Sequence, residues 1–145
     1  MTFADVIKRA QTSGNFDSLV DSIPYAQLIG LKYQRLGQDV LFHLPENNDN
    51  IGNPILPAIH GGVIGGFMEL SASLHLLMTM DSVAMPKMID FSLDYLRAGR
   101  AQDTYAECQV WRQGKRVANV AITAWQTTRA HPIATARAHF LLQPE

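Results

Sequence analysis

The most restrictive feature of the sequence is an apolar segment of twenty residues, 61–80, in which Glu69 and His75 are the only ionisable side chains. A segment of this length is either a membrane span or a helix buried inside a fold. Glu69 stands near its midpoint, where a charge is costly in a bilayer, and neither flank has the Lys and Arg excess that orients a span. The sequence therefore predicts a buried central helix that begins near His60, and no membrane contact.

The residues after this segment change from helical to strand periodicity. Apolar and polar residues alternate in KMIDFSLDYLR, DTYAECQVWR, RVANVAITAWQ and PIATARAHFLL, and each stretch predicts a strand. In the first, one buried face is predicted to hold Ile89, Phe91, Leu93 and Tyr95. In the other three the inward residues are small, so a helix has room to lie against them: Ala106, Cys108, Ala118, Ala124, Ala134, Ala136 and Ala138.

The residues before the central helix predict further short elements. MTFADVIKRAQ has apolar residues at helical spacing and no apolar core of a signal peptide, so it predicts a short amphipathic helix. Residues 16–20 predict a helical turn that Pro24 ends. LKYQRLGQDVLFHL predicts two strands joined around Gly37, and the Asn- and Pro-rich residues 46–59 predict a loop. Between the later strands, Gln113-Gly114 predicts a tight turn with the glycine at positive φ.

Length, charge and cysteine content limit the possible functions. With 145 residues, 47% of them hydrophobic, the chain is expected to form one domain over residues 1–145. Its formal charge of -1 and scattered basic residues argue against nucleic-acid binding. Cys108 is the only cysteine, and His75, His131 and His139 lack metal-ligand spacing. We therefore expect no metal, no cofactor and a reducing, cytoplasmic location.

Together these patterns predict an α+β fold in which a curved antiparallel sheet wraps around one long central helix, preceded by a short N-terminal helix. The chain resembles the hotdog-fold acyl-CoA thioesterases, and among them the phenylacetate-degradation type. The resemblance rests on IHGGVIGGFMELSA, in which a carboxylate follows His-Gly-Gly, and on IDFSLDYLRAGR and RQGKRVANVAI. It implies the hotdog fold, homodimers or dimers of dimers, and hydrolysis of a thioester bound as its coenzyme A conjugate.

Thioester hydrolysis needs a donor to the carbonyl oxygen and a group that activates water or attacks the carbonyl. Glycines at a helix start leave N–H groups unshielded, so Gly61 is the candidate donor and Gly62 a candidate binding residue; close packing is the alternative role of both. Glu69 is the candidate base or nucleophile, because apolar surroundings disfavour its charged form and favour proton uptake. The alternative is a buried Glu69 paired with a backbone group or an Arg.

The remaining site residues are weaker candidates. His60 either fixes the start of the helix or transfers a proton. The resemblance places a Ser or Thr two residues before Asp90, where this sequence has Met88, which also helps to set the depth of the acyl pocket. It also places a loop Asn where this sequence has Pro54, so the role of that Asn is carried by Asn53, one residue upstream.

A distance argument predicts the assembly. Gly61 and Glu69 are eight residues apart, which is about 12 Å along a helix and about 80° in facing. Because a reacting centre should lie about 3 Å from both groups, we expect two antiparallel helices of a homodimer to form each site. The phosphates of coenzyme A are expected to meet Arg97, Lys115 or Arg116. A non-catalytic acyl-CoA-binding protein and a hydroxyacyl thioester dehydratase are the alternative functions.

Overall fold

The computed structural model describes residues 1–80 and 84–142, with residues 112 and 113 described by their backbone alone. The helices are α1 (Phe3–Ser13), α2 (Asp17–Asp21), α3 (Pro24–Ile29) and α4 (Gly61–Thr79). The strands are β1 (Lys32–Leu36), β2 (Asp39–Leu44), β3 (Ile51–Asn53), β4 (Ala58–Ile59), β5 (Lys87–Tyr95), β6 (Thr104–Gln113), β7 (Val117–Trp125) and β8 (Ala134–Leu141). The large sheet is antiparallel with the order β1-β2-β6-β7-β8-β5, and β3 pairs with β4 in a small ribbon.

The long helix α4 packs across the large sheet, which confirms the predicted α+β hotdog arrangement. All seven small residues assigned to the inward faces of β6, β7 and β8 are buried. Their short side chains allow bulky core residues, including Phe67, Met68 and Leu74 of α4, to approach the sheet closely. By length and composition α4 could cross a membrane, but 67% of its most apolar window is buried against the rest of the fold, as in a core helix.

The N-terminal helices α1 and α3 pack against different parts of α4. The helical turn predicted over residues 16–20 is α2, and it ends before Pro24 as expected. Pro24 also begins a helix that was not predicted: it is the first residue of α3, where its missing N–H costs nothing because that group has no helical partner. Gly30 ends α3 in the left-handed conformation, with φ of 83°. The Gln11 amide of α1 donates to the carbonyls of Leu77 and Met80, so α1 satisfies acceptors at the C-terminal end of α4.

Strand β5 is an edge of the large sheet and contains a β-bulge. Met88 pairs with Phe140 and Asp90 with His139, so Ile89 between them has no partner on β8. The prediction that Ile89 shares the buried face of Phe91 is therefore wrong, and Ile89 is 55% exposed. The same prediction is wrong for Tyr95, which is 54% exposed at the end of this edge strand. Since β5 has a neighbour on one side only, none of its residues is fully buried within the chain.

Two connections differ from the sequence prediction. In the β6–β7 turn, Gly114 donates its N–H to the carbonyl of Val117, but it is not in the left-handed region, so the predicted positive φ is wrong. A register shift at Trp111 lies just before this turn, and the last pair of the two strands is Gln113 with Ala118, so four residues connect them. Residues 46–59 form the β3–β4 ribbon and a 3-10 turn over Asn48–Asn50 rather than an unstructured loop. Gly37 has a positive φ of 69° in the β1–β2 turn.

Candidate active site

The first turn of α4 leaves one backbone donor free. His60 is the N-cap, and its Nδ1 accepts a hydrogen bond from the Gly62 N–H at 2.9 Å. The N–H groups of Val63 and Ile64 donate to the His60 carbonyl. Among the described residues the Gly61 N–H has no hydrogen-bond partner. It lies at the positive end of the helix dipole, so it can donate to an oxygen that gains negative charge.

The capping bond also defines the state of the His60 ring. A ring nitrogen that accepts a hydrogen bond is unprotonated, so the proton of the neutral imidazole is on Nε2. The His60 residue is exposed, which leaves Nε2 accessible beside the free Gly61 N–H. Since Gly62 uses its own N–H in this cap, it contributes an open backbone surface to the site rather than a second donor.

The β3–β4 ribbon holds His60 from the other side. The His60 N–H donates to the Asn50 carbonyl at 2.9 Å, and a Cβ on Gly52 would lie 2.7 Å from the His60 Cα. Only glycine fits at position 52 without displacing this backbone. Asn53 is exposed, and its Oδ1 accepts from the Ile55 N–H at 2.9 Å, so its amide oxygen stabilises the following turn. A role of Asn53 towards water or substrate stays a prediction.

Tyr95 is a site residue that the sequence analysis missed. Its hydroxyl donates to the Gly61 carbonyl at 2.6 Å and so ties the start of α4 to the end of β5. A Cβ on Gly61 would lie 3.2 Å from that hydroxyl, and a Cβ on Gly65 would lie 3.3 Å from Leu93. Both glycines therefore serve close packing against β5, and only Gly61 is also partly exposed. The alternation of β5 placed Tyr95 on the same side as Phe91 and Leu93, but only the tertiary packing brings its hydroxyl to the Gly61 carbonyl.

Glu69 is exposed on the outer face of α4, so the prediction of apolar surroundings is wrong for a single chain. Gly62, Gly66 and Glu69 lie within about 60° of one another around the helix axis. The sheet covers the opposite face of α4, and the glycines on the outer face have no side chains to cover the carboxylate. No salt bridge or hydrogen bond joins the Glu69 side chain to the rest of the described chain.

Exposed apolar side chains flank this outer face. On α3, Leu28 is 69% exposed and lies one turn from Tyr25. On the other flank, Ile89 and Leu96 of the β5 region are also exposed. A surface of this kind around a charged group is typical of an interaction or ligand site.

Residues 56–132 match the family model described as the thioesterase superfamily. The chain belongs to the thioesterase superfamily. It is similar to a solved protein from Chromobacterium violaceum, with 44% identity over 97% of this chain and 96% of the other and a TM-score of 0.78. Membership supports thioester hydrolysis as the general reaction.

Two more distant structures share the fold of this superfamily member. One is a phenylacetic acid degradation-related protein from Ralstonia eutropha, 18% identical over 90% of this chain and 98% of the other, with a TM-score of 0.76. The other is a thioesterase from Haemophilus influenzae, 17% identical over 88% and 87% of the two chains, with a TM-score of 0.76. The comparison with curated proteins found no match.

In this thioesterase-superfamily chain the predicted phosphate-binding residues lie far apart. Arg97 follows the end of β5, whereas Lys115 and Arg116 form the β6–β7 turn near its start. The eight residue steps of β5 correspond to about 26 Å, so one chain does not bring the two groups together. All three residues are exposed. Met88 is half-buried against the core and has no polar atom that could orient water.

The buried titratable groups lie away from the outer face of α4. His75 is 8% exposed and its Nδ1 has no partner among the described residues, and burial lowers its pKa. Burial raises the pKa of the Cys108 thiol, which disfavours the reactive thiolate. Within residues 1–80 and 84–142, no three His, Cys, Asp or Glu side chains lie close enough together to hold a metal ion.

Proposed function

We propose that the protein is a cytoplasmic acyl-CoA thioesterase of the phenylacetate-degradation type that works as a homodimer. The Gly61 N–H polarises the thioester carbonyl, and Glu69 of the partner subunit activates water. The observation that carries the proposal is the free Gly61 N–H at the start of a helix whose exposed face also holds an uncovered carboxylate.

The spacing along α4 supports a shared site. Within one helix the two groups are about 12 Å apart, which is too far for one reacting centre. Gly65 is midway between them, and it packs against Leu93 of β5. A two-fold axis near this point would place Gly61 of each helix beside Glu69 of the partner subunit.

The same axis would pair β5 with its copy. In the single chain this edge has unpaired backbone groups and exposed apolar neighbours, which a second copy would cover. With Leu93 near the centre of an antiparallel pairing, Arg97 would lie at the end of β5 that meets Lys87 of the partner subunit. The β6–β7 turn lies near Lys87 in its own chain, because Val117 pairs with Leu141 and Leu141 with Lys87. The basic residues that one chain separates would therefore converge around the phosphates of one coenzyme A.

The chemical steps need only these groups. The oxygen of a water molecule bonds to the thioester carbon while Glu69 of the partner subunit accepts a proton from that water. The carbonyl oxygen becomes an oxyanion that accepts from the Gly61 N–H. When the carbon–sulfur bond breaks, the electron pair leaves with sulfur, and the proton on the carboxyl returns to the coenzyme A thiolate. His60 holds the helix start in the geometry that leaves the Gly61 N–H free.

The direct test is thiol release from a panel of acyl-CoA thioesters by wild type and Glu69→Gln. Loss of the base should lower kcat by about 10²–10⁴-fold, while analytical ultracentrifugation still shows a dimer. Glu46→Gln is a matched control, because Glu46 is an exposed carboxylate in the connection after β2 rather than on α4. Undiminished hydrolysis by Glu69→Gln would contradict the mechanism.

The same panel separates the alternatives. Thermal stabilisation by an acyl-CoA without thiol release would identify a non-catalytic acyl-CoA-binding protein. Formation of an enoyl thioester, followed by its ultraviolet absorbance, would identify a dehydratase. Incorporation of ¹⁸O from water into Glu69 during a single turnover would show that the carboxylate attacks the carbonyl directly rather than acting as a base.

A further inference from the structure

Tyr25 of α3 lies directly over the outer face of α4. A Cβ on Gly66 would lie 2.5 Å from Cε2 of Tyr25 and 2.6 Å from its hydroxyl oxygen. Real Cβ atoms do not approach other atoms this closely, so position 66 accepts only glycine while the ring stays in place. The hydroxyl of Tyr25 therefore lies against α4, one turn from Glu69.

The hydroxyl of Tyr25 is available for a ligand. Its residue is 37% exposed, and the described residues offer it no hydrogen-bond partner. Tyr33 shows the contrast: its hydroxyl donates to Asp17 at 2.7 Å and accepts from the Phe16 N–H. The hydroxyl of Tyr33 serves the packing of the N-terminal helices, whereas that of Tyr25 does not hold the fold together through any such bond.

The geometry of a helix directs Glu69 towards this hydroxyl. The Cα–Cβ bonds of a helix tilt towards its N-terminus, so the side chain of Glu69 leans over the preceding turn, which contains Gly65 and Gly66. Side chains three positions apart have Cβ atoms about 5–6 Å apart, and the Tyr25 hydroxyl occupies the position that a side chain at 66 would take. The carboxylate and the hydroxyl are thus within reach of one water molecule on the outer face of α4.

We propose that Tyr25 is a water-positioning residue of the thioesterase site. Its hydroxyl accepts a hydrogen bond from the water molecule that Glu69 of the same chain deprotonates, and so directs the water lone pair towards the carbonyl carbon. That carbonyl is the one polarised by Gly61 of the partner subunit. No bond to Tyr25 forms or breaks, and the inference rests on the proposed function.

The test compares Tyr25→Phe with Tyr33→Phe in steady-state hydrolysis of the best acyl-CoA substrate. Tyr25→Phe keeps the ring over Gly66, so the melting temperature and KM should stay near those of wild type while kcat falls about tenfold to a hundredfold. Tyr33→Phe should lower the melting temperature and leave kcat unchanged, because its hydroxyl bonds only within the N-terminal region.

A double variant separates positioning from packing. In the Glu69→Gln background, Tyr25→Phe should cause little further loss of kcat, since both groups act on the same water molecule. A wild-type kcat in Tyr25→Phe, with wild type active and Glu69→Gln inactive, overturns the inference and leaves the proposed function standing. Absence of thioester hydrolysis by wild type overturns both. An equal loss from Tyr25→Phe in both backgrounds shows an independent packing effect and also overturns the inference.

Discussion

The two faces of α4 are both largely apolar, but one carries large side chains and the other carries mainly glycines. The inner face presents large side chains such as Phe67 and Leu74 to a sheet lined by alanines, and all of these are buried. The outer face presents Gly62, Gly66 and Glu69 to a surface between α3 and β5. The inner face stabilises the fold, whereas the outer face has no large side chains to cover Glu69. Overall hydrophobicity does not distinguish these roles, but the size of the side chains does.

The largest expected effect comes from a charge at the edge of the outer face. Leu96→Glu places a carboxylate in the apolar rim beside β5, where the proposed pairing brings it near Asp90 of the partner subunit. We expect dissociation into monomers and loss of hydrolysis by more than about 100-fold, because like charges repel and each site needs two chains. Ultracentrifugation and thiol release check this. A monomer with full activity would contradict the composite site.

The next largest effect is expected on the inner face. Phe67→Ala removes a fully buried ring and leaves a cavity between α4 and the sheet. The free energy of unfolding should fall by about 3–5 kcal/mol, measured by urea denaturation. Leu28→Ala is the matched control on the outer side, since its side chain is 69% exposed and its loss should change the unfolding of the chain little. Equal losses of unfolding free energy in the two variants would show that the inner face does not contribute more to stability than the outer face.

A smaller effect on stability and activity is expected from the hydrogen bond between the end of β5 and the start of α4. Tyr95→Phe removes the hydrogen bond to the Gly61 carbonyl, which should cost about 0.5–1.5 kcal/mol in stability. Because residue Gly61 is then held less firmly next to the donor N–H, kcat should fall more than KM rises. Thermal unfolding and steady-state kinetics measure the two effects. Unchanged kinetics would show that His60 alone positions this peptide.

The smallest expected effect is a pH dependence of stability that comes from the buried His75. Burial lowers the pKa of His75 below its ordinary value of 6.5, so the unfolded chain binds a proton more readily than the folded chain. Its contribution to stability is present above about pH 6.5 and is lost as the pH falls below that value. Melting temperatures at pH 7.5 and pH 5.5 measure this loss, and His75→Leu should reduce it. Asp39 and Arg35 also influence His75, with opposite signs.

The sequence predicted the elements whose patterns are local. The change of period after residue 80 located four strands, and the small inward residues of β6 to β8 showed that a helix lies against them. The sequence did not predict the bulge at Ile89, because an inserted residue leaves the alternation on either side intact. Pro24 was compatible with either end of a helix, and only packing against α4 selects the start.

The sequence predicted only the part of the candidate site whose residues lie close together in the chain. His60, Gly61 and Glu69 are close in sequence and lie on one helix, so their spacing can be calculated. Tyr95 and Tyr25 come from β5 and α3, and their positions beside Gly61 and Gly66 depend on tertiary packing. The exposure of Glu69 could not be predicted from apolar composition, because glycine counts as apolar but covers nothing.

The two edge strands of the large sheet also differ in how readily another strand can pair with them. Strand β5 interrupts its regular course at Ile89, which leaves a short straight run from residue 90 to residue 95. Strand β1, at the opposite end, carries Lys32 and Arg35, which discourage another sheet from adding there. If β5 pairs with its copy as proposed, strand addition at this edge ends once two chains have met, and the charged β1 edge gives it no second place to continue.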